Sequence, residues 1–407
     1  MDLRLAWRNV WRNPRRTMVI LTAVVIGVWS MVFTAALMRG TADGIVKNNI
    51  ATLTGHIQIH QHLYPDDPVV DYRIARPDLL EETLLRHLPE QSHWSSRVRV
   101  SAVANNARHN AGVILVGIEP PKEARLSFIG TGVTQGEYLQ SDDKSGILIG
   151  QSLAERFETR IGRKLILMSQ DTNGDIASRA FRIRGIFQAE MELTEKVFVF
   201  VHRSAAQEML RMGATISEVA VLLPDHVPAG PMAETLTAQL ANDDLTVRSW
   251  KQILSMITAI LELYDTFILI WFLMVFVAMA FGIVNTTLMA VFERMREFGL
   301  LKALGMRPRR IVGGILTESS IILTGGMLLG SLLGLFSCWL LSYRGIDLSA
   351  LAEGVAYSGM SRIIFPQVLV KDLVGANVVI LILGLLVSLY PAIKAARFTP
   401  VEAMTRT

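Results

Sequence analysis

The stretch Glu293–Arg310, ERMREFGLLKALGMRPRR, lies between two apolar runs that are each long enough to cross a bilayer. Its spacing predicts a short amphipathic helix, whose apolar face carries Met295, Phe298 and Leu301. Gly305 is placed to stop this helix, and Pro308 to begin the next one. Because charges flank it closely, we expect the apolar face to bind a groove in a partner protein. The alternative is a loop that sets topology and packs its leucines on the spans.

The composition is that of a membrane protein with a soluble part. The chain has 407 residues, of which 51% are hydrophobic. Its mean hydropathy of +0.37 is high for a soluble domain of this length. Four apolar runs carry most of the hydrophobic residues, at 17–39, 267–291, 311–341 and 373–390. The single cysteine, Cys338, lies in the third run, which excludes an intrachain disulfide framework and a cysteine-based metal site.

Basic residues lie beside these runs rather than in one patch. WRNVWRNPRRT, residues 7–17, precedes the first run, and the 292–310 stretch is also rich in arginine, whereas loop 342–372 has balanced charges. By the positive-inside rule, both termini and the 292–310 stretch are cytoplasmic, and the residues between the first and second spans are outside. Topology explains these charges better than nucleic acid, so we expect no nucleic-acid partner.

Residues 55–250 alternate short strand patterns with helical ones, which is typical of an α+β domain. HIQIHQ has a period of two, and GILIG leads into the helical pattern QSLAERFETRIG. The sequence therefore predicts a membrane α-helical protein with four transmembrane helices and a large extracytoplasmic α+β domain inserted between the first and second spans. The predicted order is a cytoplasmic interfacial helix at 1–16, a span at 17–39, a stalk at 40–54, the domain at 55–250, a stalk at 251–266, a span at 267–291, a cytoplasmic helix at 292–310, a span at 311–341, an outer loop at 342–372, a span at 373–390 and a cytoplasmic tail at 391–407.

The two segments that flank the domain are predicted to continue the spans as helical stalks. No proline occurs between Trp250 and Leu304, so we expect one continuous helix over this range. Such a helix is longer than the hydrocarbon core of about 30 Å requires. The alternative is that residues 251–266 form a packed helix of the domain, separated from the span by a kink.

Several motifs resemble one family. ERMREFGLLKALGMRPRRI resembles the signature segment of the FtsX-like permease superfamily, which includes the macrolide-exporter and lipoprotein-releasing types of ABC permease. AWRNVWRNPRRTMVILTAVVIGV and YPAIKAARFTPVEAM are similar to the usual termini of this superfamily. VGIEP, GILIGQSLAERF, IGRKLILMSQD and FRIRGIF resemble the extracytoplasmic domain of lipoprotein-releasing permeases.

The resemblance implies a permease subunit of the bacterial inner membrane, paired with a second copy or a related permease. It also implies a separate cytoplasmic ABC ATPase dimer, which would bind ATP and Mg²⁺. The chain contains no Gly-Lys pair and so no phosphate-binding loop pattern, and we expect neither a cofactor nor enzymatic activity in it. By the same resemblance, the residues that couple the spans to the ATPase are Glu293, Arg294, Arg296, Glu297, Gly299, Leu301, Leu304 and Gly305.

The resemblance to lipoprotein-releasing permeases implies extraction of lipidated proteins from the membrane and transfer to a periplasmic carrier. Lipid extraction needs a lateral opening, and we expect acyl chains to contact the apolar base of the second stalk at Ile257, Ile260, Leu261 and Leu263. One alternative is efflux of peptides or small molecules with an adaptor protein. Another is regulation of a cell-wall hydrolase, as FtsX-like proteins perform.

Small and acidic residues mark the third span. Glycines recur there at a spacing that lets helix backbones approach closely, either between subunits or within the chain's own spans, at Gly326, Gly330 and Gly334. Glu318 lies in the same span, where a carboxylate is costly. We expect it to form a structural hydrogen bond with Asn285 or Thr286.

Three histidines share one strand face, at His56, His60 and His62. Three ligands spread along this much extended chain are too far apart for one ion, so we expect no metal site.

Overall fold

A computed structural model describes residues 3–65, 67–240, 244–347 and 363–398. The predicted outer loop therefore lies partly outside the described residues, at 348–362, and so does the predicted tail from residue 399 onwards. The chain divides into two compact units. The first unit comprises Met1–Asp43, Leu261–Asp347 and Ile363–Thr407, and the second comprises Gly44–Ile260 and Leu348–Arg362.

The elements follow one another in chain order. The helices are α1 (Leu3–Val10), α2 (Pro14–Asn49), α3 (Pro77–His87), α4 (Pro120–Glu123), α5 (Ile129–Gly132), α6 (Gln151–Arg156), α7 (Glu192–Val197), α8 (Arg203–Leu210), α9 (Ala229–Leu240), α10 (Trp250–Ile253), α11 (Ser255–Glu293), α12 (Met295–Ala303), α13 (Pro308–Ser342) and α14 (Val370–Arg397). A π-helix, Ile50–Thr54, follows α2. The strands are β1 (Ile57–Gln61), β2 (His93–Asn105), β3 (Asn110–Ile118), β4 (Val133–Gly136), β5 (Gly146–Gly150), β6 (Lys164–Gln170), β7 (Ile176–Phe187), β8 (Phe198–His202), β9 (Glu218–Leu222), β10 (Leu245–Ser249), β11 (Ile346–Asp347) and β12 (Ile363–Ile364).

Four helices in the described part of the chain are long and apolar enough to cross a membrane: α2 with the π-helix, α11, α13 and α14. Each contains one of the predicted apolar runs, so the prediction of four membrane helices is confirmed. Their shared core includes Val28 of α2, Phe272 of α11, Met327 of α13 and Ile380 of α14.

The prediction of one continuous helix from Trp250 to Leu304 is wrong. The backbone leaves the helical conformation at Leu254, with φ −99° and ψ 51°, and again at Arg294, with φ −105° and ψ 16°. The absence of proline permits a continuous helix but does not enforce one. At Arg294 the side chain forms ion pairs with Glu297 and Glu318, and these contacts accompany the break.

At the end of the spans away from α12, polar side chains join three helices of the first unit. The guanidinium of Arg39 in α2 forms an ion pair with Asp372 of α14 at 2.8 Å. It forms another with Asp265 of α11, which Lys371 also contacts. The spans are therefore held together by charges as well as by apolar packing.

The second unit is built on a ten-stranded mixed sheet, in the order β10-β1-β9-β2-β3-β8-β5-β7-β4, with β6 paired to β2 and β7. Only the β3–β8 and β5–β7 pairs of the sheet are parallel within the described residues. Strand β2 connects two parts of this sheet, one with β10, β1 and β9 and the other with β3, β8, β5, β7, β4 and β6. Its first residues pair with β9, and its later residues pair with β3. Helices α3 and α9 cover one part, and α6 and α8 the other. The predicted α+β domain between the first and second spans is confirmed.

Candidate functional site

Helix α12 is the short helix predicted from the Glu293–Arg310 stretch. It begins after the break at Arg294 and ends at Ala303. Gly305 has φ +89°, in the left-handed region that favours glycine, and Pro308 is the first residue of α13. The predicted stop at Gly305 and the predicted start at Pro308 are confirmed.

One face of α12 is buried against the chain's own helices. Met295 and Phe298 are buried, and Leu301 is half-buried. Phe298 and Leu301 belong to an apolar cluster that α11, α13 and α14 complete. Lys302 donates hydrogen bonds to the carbonyl oxygens of Ala396 and Phe398, at 2.9 and 2.6 Å. The prediction that this apolar face binds a partner is therefore wrong, because neighbouring helices of the same chain cover it.

The opposite face of α12 is open. Leu300 is 57% exposed and Leu304 is 77% exposed, and Arg296 on the same side is also exposed. Three further exposed basic residues follow, at Arg307, Arg309 and Arg310. We call Arg296, Leu300 and Leu304 the α12 outer face. It presents two leucines among basic side chains. One of them, Leu300, is absent from the set of ATPase-coupling residues that the family resemblance implies.

The N-terminal segment is tied to the α11–α12 junction by charges. Arg12 forms an ion pair with Glu297, and Arg16 forms one with Glu293 at 2.8 Å. Arg294 also contacts Glu297, at 3.2 Å. Burial acts against the shift, but hydrogen bonds from Arg12 and Arg294 lower the pKa of Glu297 below its usual value and so favour its charged form.

Glu318 is the centre of a second set of contacts. One guanidinium nitrogen of Arg294 donates to both carboxylate oxygens, at 2.9 and 3.0 Å, and the amide of Asn9 donates to one of them at 2.7 Å. The prediction of Asn285 or Thr286 as the partner is wrong; the hydroxyl of Thr286 donates to the Gly282 carbonyl. A positively charged guanidinium stabilises a half-buried carboxylate more than a neutral hydrogen-bond donor does.

The other residues of the predicted coupling set differ in exposure. Gly299 is buried and Gly305 is exposed. The residues expected to contact lipid all lie in α11, where Ile260 and Leu263 are exposed and Ile257 and Leu261 are half-buried.

The glycines of α13 face α2 of the same chain. A Cβ atom on Gly326 would lie 2.5 Å from Val24, one on Gly330 would lie 2.7 Å from the Val25 carbonyl oxygen, and one on Gly334 would lie 2.9 Å from Val32. These distances leave no room for a side chain. The structure therefore places the glycines where two spans of one chain meet.

The three histidines each have a local environment. His56 accepts a hydrogen bond from the Leu223 amide at 2.9 Å, and the ring of His62 lies 3.0 Å from the Thr246 hydroxyl. His60 is buried. Over the described ranges, no cluster of histidine, cysteine or carboxylate side chains is arranged to hold a metal ion.

Sequence reasoning missed Asn9, Arg12 and Arg16 as members of the site. The arginine-dense start predicts an interfacial helix and the topology, but charge density alone does not reveal which carboxylates an arginine meets. The acidic residues of the 292–310 stretch were the available sign that some of these arginines have partners.

Comparisons with known proteins agree with this architecture. The family model "MacB-like periplasmic core domain" matches residues 17–239, and the model "FtsX-like permease C-terminal" matches residues 268–400. The chain is 22% identical over 400 residues to the lipoprotein-releasing system transmembrane protein LolC of Neisseria meningitidis serogroup B, covering 95% of this chain and 93% of that protein.

Two further proteins are similar to this chain. The chain is 23% identical over 422 residues to the macrolide export ATP-binding/permease protein MacB 1/2 of Paracoccus denitrificans, covering 99% of this chain and 58% of that protein. The crystal structure of the periplasmic region of MacB from Actinobacillus actinomycetemcomitans matches with a TM-score of 0.36 and 15% identity, over 53% of this chain and 97% of that one. From the two family models, the chain belongs to the FtsX-like and MacB-like family of ABC transporter permeases.

Proposed function

We propose that this permease couples ATP hydrolysis by a separate cytoplasmic ATPase dimer to movement of its α+β domain, and that the α12 outer face contacts the ATPase. One observation carries this proposal: Leu300 and Leu304 are exposed on a helix whose other face is fixed against the same chain. Exposed apolar side chains beside charged residues mark an interaction site, and the ATPase is the partner that we propose for it.

The positive-inside rule supports a cytoplasmic position for α1 and α12 and a periplasmic position for the α+β domain, in the bacterial inner membrane. Exposed basic residues lie in both helices, in the turn after α12 and in the first turn of α13, at Arg4, Arg8, Arg296, Arg307, Arg309 and Arg310. We further infer that a second permease, either another copy or a related chain, completes the assembly.

The contacts of the α11–α12 junction suggest how force enters the spans. Displacement of α12 acts on α11 through the chain, on α13 through Arg294 and Glu318, and on the turn between α1 and α2 through Glu297 and Arg12. The end of α11 is tied to α2 by Glu293 and Arg16. Packed helices transmit displacement because their cores resist gradual deformation. The ATPase partner would bind ATP and Mg²⁺. This chain would supply the contact surface and the packed helices that transmit the displacement.

Lipoprotein release is the transport function that we propose. LolC-type relatives align over nearly the whole of this chain and of their own length, which supports this choice. In this proposal acyl chains contact Ile257, Ile260, Leu261 and Leu263, and the released lipoprotein passes to a periplasmic carrier. Adaptor-dependent efflux is the second candidate, because the MacB relative aligns over 99% of this chain.

The test uses proteoliposomes that contain the full chain and the ATPase that co-purifies with it. A fluorescent lipidated protein in the outer leaflet is expected to enter the soluble phase only when ATP is present, and the Ile260→Asp variant is expected to slow this release. Retention of the lipidated protein with ATP, together with binding of an adaptor protein to the chain, would favour efflux instead.

A further inference from the structure

Strand alternation gives one part of the sheet a polar face. Along β1, Ile57 and Ile59 point into the apolar core under α3 and α9, so Gln58 and His60 point to the other side. The strand register places Glu218 of β9 opposite His60, and Arg248 of β10 opposite Gln58. Polar residues of neighbouring strands therefore share one face.

A cavity of about 250 Å³ lies on this face. His60, Glu218 and Arg248 line it from the sheet, Arg99 lines it from β2, and Tyr64 lines it from the segment after β1. This volume is several times the roughly 30 Å³ that one water molecule occupies in the liquid. The cavity therefore has room for a small polar group.

The charges around the cavity do not cancel. Arg97, which is fully buried, forms a two-point ion pair with Glu123, and it also contacts Glu218 at 3.3 Å. Glu218 lies 3.6 Å from Arg99. Arg248 has no carboxylate within ion-pair distance in the described part of the chain. Among the described residues that line the cavity, the guanidinium groups of Arg99 and Arg248 face the single carboxylate of Glu218, which leaves one positive charge.

His60 adds an unused polar atom at the same place. Its side chain is 3% exposed, and its Nδ1 atom is buried without a hydrogen-bond partner among the described residues. The hydroxyl of Tyr64 does not donate to this Nδ1 atom, because it donates to the Arg99 carbonyl oxygen at 2.6 Å. A buried polar atom with no partner costs free energy, and the imidazole ring that carries it lines the cavity.

The geometry points to a binding site for a singly charged oxyanion, a phosphodiester or a carboxylate, held by Arg248, Arg99 and His60. A guanidinium matches the paired oxygens of both groups, and one negative charge balances the excess charge of the face. Such a group is carried by a lipid headgroup or by a small organic acid. The site lies in the α+β domain and does not depend on which substrate the transporter moves.

The test is isothermal titration calorimetry on the full chain in an uncharged detergent. The probes are dimethyl phosphate, acetate and glycerophosphoglycerol, with glycerol as the neutral control. We expect binding of at least one anionic probe and none of glycerol. Stronger binding of glycerophosphoglycerol than of dimethyl phosphate would identify a headgroup as the source, and equal binding of the small anions would identify a free solute.

Variants locate the binding. Arg248→Gln is expected to weaken it about tenfold or more, Arg248→Lys is expected to retain part of it, and Arg156→Gln, at an exposed arginine of α6, is expected to leave it unchanged. His60→Asn serves as the second variant if Arg248→Gln does not fold. Failure of all three anionic probes to bind, or equal binding by wild type and the Arg248 and His60 variants, would overturn the proposal.

Discussion

Arg294 and Glu318 form a two-point ion pair, in which one guanidinium nitrogen lies 2.9 and 3.0 Å from the two carboxylate oxygens. The pair joins the break between α11 and α12 to the first turns of α13. Asn9 of α1 donates to the same carboxylate, so three separate segments of the first unit meet at one acidic side chain.

Neutralising this carboxylate is expected to destabilise the first unit. Glu318→Gln removes the two-point pair of the half-buried Arg294, leaves it only the 3.2 Å contact with Glu297, and should cost about 1 to 3 kcal/mol. Glu293→Gln is the matched control: its carboxylate is 42% exposed, and its pair with Arg16 should contribute about 0 to 1 kcal/mol. The measurement is the free energy of unfolding in mixed micelles. Equal losses in both variants would contradict the central position of Glu318.

The N-terminal segment should loosen when Arg12 changes sign. Arg12→Glu places two carboxylates together at Glu297, so amide exchange in α12 is expected to rise severalfold at low salt and to approach wild type at high salt. Arg8→Glu, at an exposed arginine of α1, is the control. Glu297→Arg alone places an arginine beside both Arg12 and Arg294, so the double exchange Arg12→Glu with Glu297→Arg should be slower in amide exchange than Glu297→Arg alone. Equal exchange in these two variants would show that Arg12 and Glu297 do not act as a pair.

Close packing of α2 and α13 makes a specific prediction for Gly330. A Cβ atom there would lie 2.7 Å from the Val25 carbonyl oxygen, so Gly330→Ala must separate the helices and should cost about 1 to 3 kcal/mol. Gly313→Ala in the same helix meets nothing within 4 Å and should stabilise α13 by about 0.5 to 1 kcal/mol. Thermal unfolding of the two variants in detergent checks the difference. Similar shifts of the unfolding temperature in the same direction for both variants would show that α2 does not limit the size of the side chain at position 330.

The local patterns predicted more of this protein than the contacts between distant segments. Apolar runs identified the four spans, period-two alternation identified the α+β domain, and Gly305 with Pro308 located the turn after α12. These features depend on residues that are close in sequence. Their physical causes, hydrocarbon thickness, strand alternation and backbone freedom, act locally.

The errors have a common physical origin. Which face of α12 is buried depends on residues of other helices, including Ile311 of α13 and Ala392 of α14. The predicted partner of Glu318 was wrong, because the residue that contacts it, Arg294, lies at a helix break that the sequence pattern did not predict. Arg12 and Glu297 are 285 residues apart, and no spacing rule connects them. Charge pairing across helices is a property of packing, which periodicity does not describe.

The buried histidine of β1 predicts a pH dependence. Burial lowers the pKa of His60 from 6.5 to about 4, and Arg248 and Arg99 act in the same direction while Glu218 opposes them. Between these values the unfolded chain binds a proton that the folded chain does not, so stability falls as pH falls from about 6.5 towards 4. His60→Gln should remove roughly 2 to 3 kcal/mol of this loss. Amide exchange of β1 at pH 5 and pH 7 measures it. An identical pH dependence in wild type and variant would contradict the assignment.

The most direct test of the account is whether the α12 outer face holds the ATPase. Leu304→Glu and Leu85→Glu each place a carboxylate at an exposed leucine, the first on α12 and the second on α3 of the α+β domain. Both variants are purified from cells with whatever ATPase accompanies the wild-type chain, and ATP hydrolysis by each preparation is measured in lipid. We expect Leu304→Glu to lose the ATPase while Leu85→Glu retains it with wild-type hydrolysis. Full retention of the ATPase by Leu304→Glu, with hydrolysis still linked to release, would contradict the account.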